Sequence, residues 1–205
     1  MPVLIAFINN TQSTYTITIN IQGELVSNFC YKIPLFAIIC MLARRQRRQG
    51  ESFPLAIAFS CKKIKYFFIC AGAGFCSLFL TALFVSYICN VIFALEPSAV
   101  LPPLSASPVI IIFSSFCSAY LEESFFRFFL PGTLTKNSIV FPIAVIISSV
   151  LFAVCHLWEG ASGTINAFLS GIFLCLLFKR FASLHGIVFA HALFNIAAYA
   201  FANKF

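Results

Sequence analysis

The residues able to do chemistry in this sequence are few, and they interrupt otherwise apolar runs. Residues 109–130 carry no charge except Glu122, Glu123 and Arg127. A charge within hydrocarbon costs about 2.5–3.5 kcal/mol on insertion scales, so such groups are functional candidates by default. If the run is helical, Glu123 and Arg127 are four apart, share a face and can pair. Glu122 is turned about 100° away from Glu123. It is left without a local partner and is available as a general base. His156 closes the apolar run 139–158, and His191 and Asn195 lie four apart in the last run, 185–201. Glu122, His156, His191 and Asn195 thus come from three segments. Together they suit hydrolysis: one group activates a water, and the others hold it and stabilise an oxyanion.

Each feature also has a plainer reading. Glu122, Glu123 and Arg127 could form a structural ion-pair knot. His156 beside Trp158 could mark a membrane boundary. His191 and Asn195 could be hydrogen-bonding glue between helices. One Glu and two His (Glu122, His156, His191) could ligate zinc with an open fourth position. The spacing is not HExxH, however, and Asn195 suits an oxyanion donor better than a zinc ligand, so no metal is favoured. Cys155 adjoins His156, but helical neighbours point about 100° apart, which argues against a Cys–His nucleophile. Glu159 is expected to face solvent in an outer loop.

The elements that must position these groups follow from composition. Of 205 residues, 61% are apolar and 9% are charged, and mean hydropathy is +0.99. A soluble domain carries about a quarter charged residues. An ordinary soluble fold and a disordered chain are both excluded. A span needs about 20 apolar residues, so roughly five to seven fit. The expected fold is all-α, a polytopic transmembrane helix bundle of about six spans. Residues 33–43 form a weak first span, 66–95 a long one, and 96–108 hold four prolines and read as a loop. The spans 109–130, 139–158, 165–178 and 185–201 follow. Pro131-Gly132 is expected to end the first of these, and residues 160–163 to form a turn. Residues 14–19 alternate with period two, a short-strand pattern.

Seven of the thirteen basic residues lie between Arg44 and Lys65. They are expected to stay cytoplasmic and can touch anionic headgroups. With that loop inside, Lys136 and the pair Lys179-Arg180 also fall inside. No nucleic-acid role is expected, because the basic residues belong to membrane loops. Nine cysteines without a CxxC read as small hydrophobes rather than a disulfide or zinc framework. Residues 1–8 lack a basic leader and a small-residue cleavage site, so they do not read as a signal peptide.

The spacing has a familiar form. Glu122-Glu123-Ser124-Phe125-Phe126-Arg127 resembles the EExxxR motif of the CPBP membrane proteases. That family comprises the type II CAAX prenyl proteases, the lysostaphin resistance protein A-like proteins and bacteriocin-immunity proteins. Phe152 to His156 is similar to its FxxxH motif, and His191 to Asn195 to its HxxxN motif. By composition EExxxR should arise about 0.005 times by chance, HxxxN about 0.1 times and FxxxH about 0.4 times. Their joint occurrence in order carries the resemblance, which covers residues 109–201. It implies that Glu122 activates the attacking water, that His156 helps hold it, and that His191 and Asn195 stabilise the oxyanion. Glu123 and Arg127 would orient the site, with Phe152 packing beneath it. Phe128 departs from the glycine usual after the Arg, and His185 from the usual aromatic or apolar residue.

These residues lead to one expectation, an intramembrane endopeptidase in a multi-pass protein of a bacterial inner membrane or the endoplasmic reticulum, the former favoured. Its partners would be membrane lipid and a membrane-associated or lipidated peptide or protein. The alternatives are a non-proteolytic immunity-type protein on the same fold, or a small transporter with Glu122–Arg127 as a gating pair. The domains expected are 1–65, variable; 66–108, a span and loop; and 109–201, the catalytic part. One tension stands. A helix ending at Pro131 places Glu122 about 13 Å above the inner loop, whereas His156 lies about 27 Å along from Ser138.

Overall fold

The computed structural model describes residues 21–47, 64–92 and 108–202, and every regular element among them is helical. Helix α1 covers 21–47, with one π turn at Asn28–Lys32; α2 is Ile64–Tyr87 and runs on through a π turn at Ile88–Ile92. Helix α3 comprises Pro108–Glu123, a π segment Ser124–Phe129, and Leu130–Lys136. Helix α4 is Phe141–Cys155, α5 is Gly160–Phe181 after a 3-10 turn at Leu157–Glu159, and α6 is Leu184–Ala202. The strand pattern at 14–19 lies outside the described residues, as do 48–63 of the basic loop and 96–107 of the proline-rich loop.

The bundle is a membrane protein by length and surface. Leu25–Ala43, Ile64–Tyr87, Pro108–Lys136 and Leu157–Phe181 are long and apolar enough to cross a bilayer, and α4 and α6 are shorter apolar helices. Large apolar side chains such as Phe68, Leu80, Phe84, Ile143 and Val154 face outwards. Such a surface suits hydrocarbon and would aggregate in water. Helices satisfy their own backbone groups, which is why they alone, or closed barrels, span lipid.

The centre is built by α2, α5 and α6, with α3 against them. Cys70, Leu78, Leu174, Ile187, Val188 and Ala192 form its core, together with Ala119. Small residues let the backbones approach, as is usual between helices in lipid. A Cβ on Gly74 would stand 2.8 Å from the Ala190 Cβ, and one on Gly186 would stand 2.9 Å from that of Cys70. Buried Thr81 and Ser170 share a hydrogen bond of 3.1 Å between α2 and α5. Helix α1 begins well before the expected 33 and is fastened to α3. Its Asn28 amide donates to Ser114 at 2.6 Å, and Phe29 and Phe36 meet Phe113 and Tyr120.

Two expected boundaries are overturned. Pro131-Gly132 does not end the helix. In the π segment the Leu130 N–H reaches back five residues to the Phe125 carbonyl. In that register residue 131 would donate to the Phe126 carbonyl, but proline has no N–H. The Ser148 hydroxyl of α4 donates there instead, with the Cys175 thiol of α5 at 3.7 Å. Neighbouring helices thus supply the donor that the proline lacks, and α3 continues to Lys136.

Residues 160–163, expected as a turn, are the first turn of α5. The reversal is compressed into Leu157–Glu159 and Gly160, whose φ of 78° is one that glycine adopts freely.

The longer α3 removes the mismatch of depth. Glu122 stands about 21 Å along from Lys136, and His156 about 22 Å along from Phe141. The ends are tied together: the Lys179 ammonium of α5 lies 3.8 Å from the centre of the Phe141 ring of α4. Lys136, Lys179 and Arg180 therefore share one end of the bundle, as the charge pattern requires.

Candidate active site

Glu123 is fully buried and holds two partners. Its Oε2 is 3.1 Å from the Arg127 Nε, one helical turn on. Its Oε1 is 2.7 Å from the His191 Nδ1 of α6. Ion-paired to Arg127, the carboxylate is an acceptor, so His191 Nδ1 carries the donated proton. A buried charge is tolerated only when paired and hydrogen-bonded, and Glu123 meets both conditions. The Arg127 guanidinium lies 4.2 Å from the centre of the Phe152 ring, a cation–π contact in a dry setting.

Glu122, at the next position, has a different environment. Its side chain is 28% exposed, against 0% for Glu123. Its Oε2 stands 3.8 Å from the His191 Nε2. The two ring nitrogens of His191 therefore face the two adjacent carboxylates. Of the two, Glu122 combines that neighbour with partial exposure.

His156 caps the C-terminus of α4. Its Nδ1 is 2.8 Å from the Phe152 carbonyl. A carbonyl only accepts, so Nδ1 carries the proton and Nε2 presents a lone pair. Phe152 is 3% exposed and stands between the polar groups. Its ring centre is 4.4 Å from that of His156 and 6.3 Å from that of His191. One apolar side chain thus spaces both imidazoles and the guanidinium. Asn195, one turn beyond His191, is half-buried and makes no side-chain hydrogen bond among the described residues.

Glu159 does not merely face solvent, contrary to expectation. Its Oε1 lies 3.9 Å from His156 Nε2, and the carboxyl is 26% exposed. It also feels the charges of Glu122 and His191. The signal available in the sequence was glycine at 160 and 163, which lets the chain reverse and a side chain fold back. His185 stands apart: its Nδ1 is 2.9 Å from the Tyr120 hydroxyl.

Among the described residues, no three His, Cys, Asp or Glu side chains converge to hold a metal ion.

Residues 104–197 match the family model described as Type II CAAX prenyl endopeptidase Rce1-like. The match spans every residue from Glu122 to Asn195 and agrees with the resemblance that the three motifs carry. No curated protein and no solved structure matches the chain significantly.

Proposed function

We propose that this chain, whose residues 104–197 match the Type II CAAX prenyl endopeptidase Rce1-like family model, hydrolyses a peptide bond of a membrane-associated substrate with Glu122 as general base. The observation that carries the reading is the partly exposed carboxylate of Glu122, 3.8 Å from a histidine that Glu123 already holds in place.

The chemistry then follows from the donors and acceptors. A water placed between Glu122 and His156 gives one O–H to the carboxylate and the other to the His156 Nε2 lone pair. Its oxygen attacks the scissile carbonyl carbon as Glu122 takes the first proton. Negative charge develops on the carbonyl oxygen. An imidazole of His191 carrying both protons donates one to Glu123 and turns the other towards that oxygen. The Asn195 amide, one turn on, is the second donor. Collapse of the intermediate breaks the C–N bond, and the proton on Glu122 passes to the departing amine. Glu123 and Arg127 keep His191 oriented, and Phe152 keeps water away from that side. The family description makes a prenylated C-terminal segment the first substrate to try.

The test is cleavage of a peptide panel, prenylated CAAX peptides included, by the purified full-length protein in detergent. Glu122→Gln keeps the size and removes the base. Its expected cost is about 10²–10⁴ in kcat. Equal cleavage by wild type and Glu122→Gln would overturn the assignment.

A further inference from the structure

Glu122, His156 and Glu159 form the more accessible side of the site, with side chains 28%, 18% and 26% exposed; Glu123 and Arg127 are at 0% and His191 at 9%. Glu159, the second carboxylate on that side, has no part in the chemistry described so far. We propose that Glu159 is a positioning residue for the same reaction, acting through His156 by stabilising the positive charge that builds on the ring as it holds the water. The inference rests on the endopeptidase reading and deepens it.

Four observations converge on Glu159. His156 spends its Nδ1 proton on the Phe152 carbonyl, so the ring has one free nitrogen, Nε2, and Glu159 Oε1 is 3.9 Å from it. When a water donates to that lone pair, positive charge builds on the ring, and a carboxylate at this distance stabilises it. The backbone is shaped to bring the carboxylate there. The 3-10 turn Leu157–Glu159 and the positive φ of Gly160 reverse the chain. Gly163 then leaves room for the side chain: a Cβ there would clash with the Glu159 Cβ and stand 2.8 Å from Oε2. The charged groups whose electrostatics reach Glu159 are His156 at the end of α4, Glu122 of α3 and His191 of α6. Two of these are cationic when protonated, and the third is the proposed base. Glu159 thus lies beside His156 and within electrostatic reach of Glu122 and His191.

A purely structural role would have Glu159 serve only the N-terminus of α5, where a negative charge is favourable. The two roles separate in a mutant cycle on the full-length protein. Glu159→Gln is expected to lower kcat about tenfold with KM unchanged, the effect of a group that orients another. Glu159→Asp should recover part of the loss. Gly163→Ala keeps the carboxylate but displaces it, and should lower kcat although alanine is the better helix former. In a His156→Ala background, Glu159→Gln should cost nothing further. An equal loss in that background, or a fall in thermal stability with kcat unchanged, overturns the proposal.

A readout without catalysis keeps this apart from the endopeptidase reading, whose failure shows as equal cleavage by wild type and Glu122→Gln. Diethyl pyrocarbonate modifies an unprotonated imidazole, and mass spectrometry locates the adduct. Modification of His156 at Nε2 should change in rate about threefold in Glu159→Gln, because the carboxylate 3.9 Å from that nitrogen no longer sets the ring's surroundings. An unchanged rate overturns the link.

Discussion

His191 is held by Glu123: its Nδ1 lies 2.7 Å from Glu123 Oε1, while its Nε2 stands 3.8 Å from Glu122 Oε2. The two adjacent glutamates are therefore divided by environment. One is buried and paired on both oxygens. The other is partly exposed and faces the second nitrogen of the same ring. This division yields contrasting expectations for two substitutions that look alike on paper.

Glu123→Gln leaves Arg127 buried without its counter-charge. Breaking a buried pair by removing one partner costs about 3–5 kcal/mol. Glu122→Gln, at a partly exposed position, should cost under about 1 kcal/mol. Thermal unfolding of the two purified variants in the same detergent checks the difference. Equal melting temperatures would contradict the division.

Arg127→Lys keeps the charge but loses the planar group that reaches Glu123 and stacks on Phe152. An ammonium is a poor replacement at such a site. Stability should fall by about 1–3 kcal/mol. Phe152→Leu, which removes the ring and keeps an apolar side chain, should cost about 0.5–2 kcal/mol of the same contact. The double variant should cost less than the sum, because both changes delete one interaction.

Asn195→Ala should lower kcat by about 10²–10³, the usual cost of one oxyanion donor. Its side chain has no hydrogen bond to lose among the described residues, so melting temperature should hardly move. Steady-state kinetics beside a melting curve reads both quantities. A large loss of stability would make Asn195 a packing residue instead.

The passage of α3 through Pro131 depends on a hydroxyl from another helix. Ser148→Ala removes the donor to the Phe126 carbonyl and should cost about 1–3 kcal/mol. Pro131→Ala restores a backbone N–H at the position that lacks one. Combined with Ser148→Ala it should recover part of that loss. Unfolding measurements on the two singles and the double decide this.

At the other end of the bundle, Ala182 closes α5 in the left-handed region with φ of 50°. An L side chain there costs roughly 1–2 kcal/mol that glycine avoids. Ala182→Gly should therefore raise the melting temperature without altering cleavage.

Much of this was legible in the chain alone. Apolar runs of span length, with basic residues at alternate gaps, made a helical membrane bundle unavoidable, because hydrocarbon admits few charges and no open backbone. Glu122, Glu123 and Arg127 stood out for the same reason, and their spacing with His156, His191 and Asn195 carried the resemblance that the family match supports. Three relationships were decided only by the tertiary structure. Glu123 pairs with Arg127 four residues away, which helical periodicity foretells, but also with His191 sixty-eight residues on, which no local rule reaches. Pro131 reads as a helix end because its missing donor is a local fact, whereas the hydroxyl that replaces it comes from Ser148 on a neighbouring helix. Glu159 reads as a solvated loop residue because exposure is the default for a carboxylate outside a span. A reversal at Gly160 and the space over Gly163 turn it back to His156. Local sequence sets which groups are costly in lipid, and the packing of distant helices sets which partners offset that cost.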